Sequence, residues 1–216
     1  MSLPVSTAPV LVTGFEPFAG AASNPSWRVA QALHGHNIGG IAIVAACLPT
    51  AFGQSLVRLR ALLDNYQPQM LVCLGLAGGR SAICIERIAI NLIDARIPDN
   101  EGEQPIDVPV VAGAVAAYFS TLPIKTMCRA IRALGIPSEI SHSAGTFVCN
   151  QVMYGGLHMA HASGKGMRAG FIHLPWATGE GVPSLDDNMM VAAIEEAIAV
   201  ALECPCDVRE VGGSIY

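Results

Sequence analysis

The chain is predicted to fold as an α/β protein, a three-layer α/β/α arrangement with a mostly parallel twisted sheet and helices on both faces. Short apolar, β-branched runs alternate with stretches of helical spacing along the whole sequence, and such alternation produces parallel strands joined by crossover helices. A length of 216 residues suits one α/β domain and suffices to bury a core without disulfides or a structural metal. No internal repeat, low-complexity segment or composition break divides it. Residues 1–216 are therefore read as a single domain, with residues 1–8 as a flexible N-terminal lead.

Residues 9–13 form a short buried-strand run that closes at Gly14. Asn24 followed by Pro25 reads as an N-cap with proline at the first helical position, opening a helix that reaches Leu33. Residues 41–47 form a second apolar strand. Residues 51–66 form an amphipathic helix with Leu56, Leu59, Leu62 and Leu63 on one face, and residues 70–74 a third strand ending at Gly75. From 81 to 94 the apolar residues alternate, with Ile83, Ile85, Ile88, Ile90 and Leu92 marking one longer strand partly exposed on one face. Residues 95–112, rich in proline, glycine and acidic groups, read as a long functional or interface loop. A helix follows over 125–134 with Gly135 as its C-terminal glycine, then a strand over 137–142, a helix over 149–162 and a strand over 169–174. The last helix starts at Ser184-Leu185-Asp186-Asp187 and reaches Glu203.

Composition narrows the function. The net charge is −5 with no basic block, which argues against nucleic acid, because neutralising phosphates takes clustered Lys and Arg. No apolar run approaches the roughly 18–20 residues that span a bilayer; the longest candidates are broken by Pro105 and Pro109, and by Glu195 and Glu196. The start, Met1-Ser2-Leu3-Pro4, carries neither the basic region nor the apolar core of a signal peptide. Seven cysteines, at 47, 73, 84, 128, 149, 204 and 206, show no C-x-x-C spacing. That points to reduced thiols and a cytoplasmic setting. With 52% apolar and only 13% charged residues, the chain is lean in surface charge for a monomer, so a homo-oligomer, dimer or tetramer, is expected.

Cys149 is the candidate nucleophile. It stands in Ala144-Gly145-Thr146-Phe147-Val148-Cys149-Asn150, where an apolar run gives way to a helical pattern. A helix N-terminus carries partial positive charge and unpaired N–H groups, which stabilise a thiolate and can hold an oxyanion. On this reading iodoacetamide labels Cys149 ahead of the other six thiols. A thiol needs a base, and the base needs an orienting acceptor. His173, at the end of a strand, and Glu86, within or beside another, are of the right types, and in such sheets reacting groups collect at the carboxyl ends of strands. Each also has a plainer reading: an inert core thiol, a hydrogen-bonded core histidine, a solvated Glu86-Arg87 pair on a strand edge. Residue types alone leave both readings open.

Five blocks in register add a resemblance. They are Val12-Thr13-Gly14-Phe15-Glu16-Pro17-Phe18 with Asn24-Pro25-Ser26; Gly75-Leu76-Ala77-Gly78-Gly79-Arg80 continuing to Glu86-Arg87-Ile88-Ala89-Ile90-Asn91; Asp94-Ala95-Arg96-Ile97-Pro98-Asp99-Asn100-Glu101-Gly102; Ser143-Ala144-Gly145-Thr146-Phe147-Val148-Cys149-Asn150 with Tyr154; and Phe171-Ile172-His173-Leu174-Pro175. Through nearly the whole chain they resemble pyroglutamyl peptidase type I, or pyrrolidone-carboxylate peptidase, a cysteine peptidase family. The resemblance implies hydrolytic removal of an N-terminal pyroglutamyl (5-oxoprolyl) residue from peptides or proteins, without cofactor or metal. It makes Cys149 the nucleophile, His173 the general base and acid, and Glu86 the carboxylate that orients the imidazole. Arg96 matches an arginine near the scissile carbonyl, a second oxyanion donor beside the Cys149 backbone N–H. Phe15, Phe18, Asn24, Ile97 and Val148 match positions that line the pocket for the pyroglutamyl ring. Leu76 departs from the pattern, standing where many relatives have glutamine.

The implied chemistry suits these residues. Pyroglutamate has no ammonium to grip, and a small flat lactam is best held by aromatic walls and a few amide hydrogen bonds. Competing readings are a lactam-binding relative without turnover, supported by Leu76 alone, and another acyl or glycosyl transfer on a small ring. A metal site from His142, Cys149, His158 and His161 is a third; His158 and His161 share a helix face, but no further ligand stands at a metal-like spacing. A phosphate loop at residues 75–80 lacks the Lys-Ser/Thr pair and the following helix.

Overall fold

The computed structural model describes residues 8–215. The expected N-terminal lead thus lies outside the described residues, Ala8 excepted. The elements run in the order β1 (Val10–Phe15), α1 (Pro25–Leu33), β2 (Asn37–Ile38), β3 (Ile41–Leu48), α2 (Phe52–Tyr66), β4 (Met70–Leu76), β5 (Ile83–Glu86), β6 (Ile88–Ile90), β7 (Ala117–Phe119), α3 (Ile124–Ala133), β8 (Ser138–Ser141), α4 (Val148–Ser163), β9 (Arg168–Leu174), β10 (Trp176–Ala177), β11 (Ser184–Leu185) and α5 (Asp187–Glu203).

The main sheet has the strand order β2-β3-β1-β4-β9-β5-β8. The pairs β3–β1, β1–β4, β4–β9 and β5–β8 are parallel, while β9–β5 and the edge pair β2–β3 are antiparallel. Side chains alternate across each strand, and both faces are buried. Val10, Val12, Met70, Val72 and Leu74 enter one apolar layer with residues of α1, α3 and α5. Leu11, Leu71, Cys73 and Phe171 enter the other with residues of α2 and α4. The predicted α/β/α sandwich forms.

The single strand expected over residues 81–94 is two strands. β5 stays in the main sheet, whereas β6 leaves it and pairs antiparallel with β7. Arg87 makes the transfer. Its N–H donates to the Ser141 carbonyl at 2.8 Å, still in step with β8, while its own carbonyl accepts from the Ser120 N–H at 2.9 Å. Apolar alternation reads the same in one strand or two, so nothing local marks the change of partner. Strands as short as β2, β7, β10 and β11 carry too little pattern to be predicted. At the last helix, Ser184 and Leu185 form β11, and Asp186 is the N-cap, accepting from the Asn188 N–H at 2.8 Å.

Two local arrangements fix the segments that surround the end of β1. Asn24 caps α1 as its sequence predicts, its Oδ1 accepting from the Ser26 N–H at 3.1 Å. Gly14 makes this approach possible, because an added Cβ would stand 2.3 Å from the Ser26 carbonyl oxygen. The long loop acts as a brace. Asp99 caps α2 from a distance, accepting from the Phe52 N–H at 2.7 Å, where the helix's own N-cap, Ala51, offers no side-chain bond. Asn100 Nδ2 donates to Glu16 Oε1 at 2.8 Å and to the Pro17 carbonyl at 2.9 Å. Asp94 and Thr146 exchange two bonds, at 3.0 Å and 2.7 Å.

Gly14→Ala is expected to lower stability by about 1–3 kcal/mol, the range for overpacking a tight contact, read as a lower urea midpoint at unchanged slope. A midpoint equal to the parent's would show that β1 and α1 can separate at little cost.

Candidate active site

Sheet register brings the candidate residues together. His173 on β9 pairs with Gly75 on β4 and with Cys84 on β5. Paired residues point to the same face, as do residues two apart on one strand. Gly75, His173, Cys84 and Glu86 therefore all face the α2–α4 layer. Because β5 runs against β9, its last residue lies below the rim at which β9 ends, and Glu86 is 0% exposed. This excludes the solvated edge pair as a description of Glu86.

His173 Nδ1 and Glu86 Oε1 are 2.7 Å apart. With the carboxylate ionised, Nδ1 carries the proton and donates it, leaving the Nε2 lone pair available. The same Oε1 accepts from Arg80 Nη1 at 2.9 Å, whereas Oε2 is buried without a hydrogen-bond partner. Arg80 Nη2 also donates to the Ser143 carbonyl at 3.3 Å. The Phe171 ring packs 4.8 Å from the imidazole and completes its apolar surround.

Cys149 is the second residue of α4. The N-cap, Phe147, supplies no side-chain acceptor, so the first amides of the helix stay uncapped. Asn150 pins the helix start by donating from Nδ2 to the Ile90 and Leu92 carbonyls, each at 2.9 Å, and accepting from the Ile90 N–H at 3.0 Å. Gly75 leaves the space the sulfur occupies: an added Cβ would stand 3.0 Å from Cys149 Sγ and 2.7 Å from Phe171 Cζ. The thiol thus lies over the strand beside His173, although among the described residues no hydrogen bond joins it to the imidazole. Catalytic hydrogen bonds are often looser before substrate arrives.

Burial pushes the Cys149 thiol up to about 12, and the Glu86 and Cys73 charges add to the shift, while Arg80 and the helix-start N–H pull against it. The helix-start N–H favours a thiolate as expected, and burial of the sulfur works against it.

Beside Sγ lies a narrow pocket lined by Phe15, Phe18, Asn24, Thr50, Leu76, Phe147, Val148 and Cys149. Its aromatic side chains are backed by others: Phe18 lies 6.4 Å from Phe147, which meets Phe52 edge-on at 5.1 Å, and Phe15 lies 6.3 Å from Phe171. Of the expected pocket residues, Phe15, Phe18, Asn24, Leu76 and Val148 meet here. Asn24 is already committed, its Oδ1 to Ser26 and its Nδ2 to the Glu16 carbonyl at 3.1 Å. Ile97 is partly buried and outside this lining, and Arg96 is exposed. The Asp94–Thr146 bonds tie their loop to the segment that leads into Cys149.

Sequence patterns did not single out Phe147, Thr50 or Arg80. Phe147 stands two residues before the candidate nucleophile, and Arg80 ends the glycine-rich block six residues before Glu86; a buried carboxylate in want of a cation is the signal that finds Arg80. The grouping of His142, Cys149, His158 and His161 does not form. His158 lies 3.0 Å from the Tyr118 hydroxyl and stacks on Tyr154, and among the described residues no three potential ligands gather as a metal site requires.

A half-buried thiol at a helix start, over the strand beside an imidazole anchored by a carboxylate, places the chain among cysteine hydrolases built on an α/β sheet. A family model described as pyroglutamyl peptidase matches residues 8–204. The chain is 49% identical over 214 residues to a pyrrolidone-carboxylate peptidase of Klebsiella pneumoniae (strain 342), covering 97% of this chain and 100% of that one. It is 46% identical over 212 residues to the Yersinia pseudotuberculosis protein of the same name, covering 96% and 99%. The crystal structure of pyroglutamyl peptidase I from Bacillus amyloliquefaciens matches with a TM-score of 0.90 at 41% identity, covering 93% of this chain and 100% of that one. Pyrrolidone carboxyl peptidase from Pyrococcus furiosus matches with a TM-score of 0.88 at 46% identity, covering 90% and 98%. The chain belongs to the pyroglutamyl peptidase family and is a cysteine peptidase.

In the free protein, iodoacetamide is expected to modify the exposed Cys204 and Cys206 before Cys149 near neutral pH, followed by mass spectrometry of timed quenches. Cys149 reacting first would show a populated thiolate at rest.

Proposed function

We propose that this peptidase hydrolyses the amide bond after an N-terminal pyroglutamyl residue of peptides or proteins, through a thioester on Cys149. The observation that carries the reading is the pocket against Sγ. Its lining is apolar and aromatic, with no carboxylate to receive a free N-terminal ammonium. Such a pocket suits a small uncharged ring and discriminates against an ordinary amino terminus. The names of the related proteins point the same way.

In this mechanism His173 Nε2 accepts the thiol proton as Sγ attacks the pyroglutamyl carbonyl. The carbonyl oxygen gains negative charge and meets the Cys149 backbone N–H and Arg96, whose loop is held against the Cys149 segment. The imidazolium, stabilised by Glu86, protonates the departing amine and frees the shortened peptide. His173 then takes a proton from water, the hydroxide attacks the thioester carbonyl, and pyroglutamate leaves as the thiol is restored. Phe15, Phe18 and Val148 bound the ring, and Phe147 adds an aromatic wall. Asn24 shapes the pocket by holding its loop. Leu76 ends β4 as a buried residue, so polar contact with the lactam along that edge falls to main-chain groups.

The reading extends to setting and assembly. Among the described residues no helix is long and apolar enough to cross a membrane, and all seven cysteines are free, which suits a reducing cytoplasm. Val57, Ile106 and Phe119 stand 65%, 65% and 66% exposed, apolar surface of the kind a homo-oligomer covers.

A fluorogenic pyroglutamyl amide is expected to be cleaved and the matching prolyl amide left intact, with Cys149→Ala inactive yet folded. In the same assay Arg96→Ala should lose about 3–4 kcal/mol of transition-state stabilisation, the typical loss for one oxyanion donor. Undiminished cleavage by Cys149→Ala would sink the mechanism, and equal cleavage of both amides would sink the pocket's role. On a sizing column at micromolar concentration the chain should elute well above monomer size; a monomer peak refutes the assembly.

A further inference from the structure

We infer that Arg80 is a positioning residue for this hydrolysis: its guanidinium joins the Glu86 carboxylate to the loop that carries Cys149 and balances the Glu86 charge between imidazole and thiol. The inference rests on the roles proposed above for Cys149, His173 and Glu86.

The geometry is specific. Arg80 leaves a turn closed by its own N–H on the Ala77 carbonyl at 3.2 Å, just ahead of β5. Its side chain is 32% exposed at the rim and reaches down to a carboxylate that is 0% exposed. Nη1 meets Glu86 Oε1 at 2.9 Å and Nη2 meets the Ser143 carbonyl at 3.3 Å. One planar fork therefore spans the strand that bears Glu86 and the segment six residues before the nucleophile.

A fully buried carboxylate needs a compensating charge. The imidazole is charged only when protonated, and among the described residues Arg80 is the only Lys or Arg within ion-pair distance of Glu86. Both donors converge on Oε1. Arg80 thereby draws electron density from the same oxygen that orients His173, limiting how strongly the carboxylate stabilises the imidazolium, whose Nε2 proton must pass to the leaving amine.

The groups acting on the thiol show the same balance. Glu86 and Cys73 oppose its ionisation beyond the effect of burial, while Arg80 and the helix-start N–H favour it. Cys84, the other ionisable side chain on this face of β5, lies 3.2 Å from Glu139 and also interacts with Arg80. Without Arg80 only the helix-start N–H opposes the effect of the Glu86 charge on the sulfur, and Ser143 loses its contact with the guanidinium. Glutamine keeps a hydrogen-bond donor but no charge; lysine keeps the charge but not the fork.

The test compares Arg80→Gln and Arg80→Lys with the parent, each checked by thermal melting. Two readouts are taken: the pH dependence of Cys149 alkylation, followed on its own peptide, and the pH profile of kcat/KM on a pyroglutamyl amide. Arg80→Gln should slow Cys149 alkylation at fixed pH about tenfold and move the acid limb of kcat/KM alkaline by about one unit. Arg80→Lys should restore alkylation and acid limb to near the parent while kcat stays reduced. Parent-like alkylation and acid limb in a folded Arg80→Gln overturn the proposal, as does an Arg80→Lys indistinguishable from Arg80→Gln. If Arg80→Gln does not fold, Arg80→Lys decides: reduced kcat with parent-like alkylation supports the fork, and unchanged kcat overturns it. Alkylation needs no substrate, so the two readings separate. A shift in alkylation with no parental cleavage of the amide defeats the proposed substrate and leaves the charge balance standing; parental cleavage without the shift defeats Arg80.

Discussion

A carboxylate sealed beneath the rim of a sheet can orient an imidazole only while it stays ionised, and ionised it must be matched. Glu86 meets this demand through its place in the topology. Its strand runs against the central strands, so the residue at its end lies within the sheet and not on the surface. From there Oε1 fixes the His173 tautomer at 2.7 Å. The same burial that makes the bond strong also raises the barrier to ionising Cys149, because charge in a low-dielectric site acts at full strength on its neighbours. Reactivity and restraint in this site have one source.

The pocket depends on a different set of bonds. Its walls come from the end of β1, the loop before α2, the end of β4 and the start of α4. None of these segments is rigid by its own sequence. Glu16 receives the Thr50 N–H at 3.0 Å and Asn100 Nδ2 at 2.8 Å, and Asp99 caps α2. The long loop is thus a fastening between walls, and its Asp94 is bonded to Thr146 in the segment that leads into Cys149.

How much of this is legible in the sequence depends on which residues have to meet. The central strands are buried on both faces, so their apolar runs identify them, and Asn24-Pro25 announces a helix start by local chemistry alone. The sandwich follows from the alternation, and the five blocks name the family that the comparisons show. The change of partner at Arg87 is not legible, because β5 and β6 share one alternating pattern across two sheets. The direction of β5 is hidden for the same reason, and with it the depth of Glu86. The environment of Cys149 defeats local reading too: a helix start argues for a thiolate, and only the packing around the sulfur reveals the burial that opposes it. Arg80 lies in a recognisable block, yet its contact with Ser143 spans 63 residues, beyond what spacing reveals.

The strand order also governs when the protein becomes an enzyme. β9 sits between β4 and β5, yet it is the last strand of the main sheet to be synthesised. Until residues 168–174 emerge, β2-β3-β1-β4 and β5-β8 have no strand to join them, and Glu86 waits 87 residues upstream of the histidine it orients. Closing contacts across such separations is entropically slow. A chain cut before residue 168 therefore lacks both His173 and the strand that joins the two parts of the sheet.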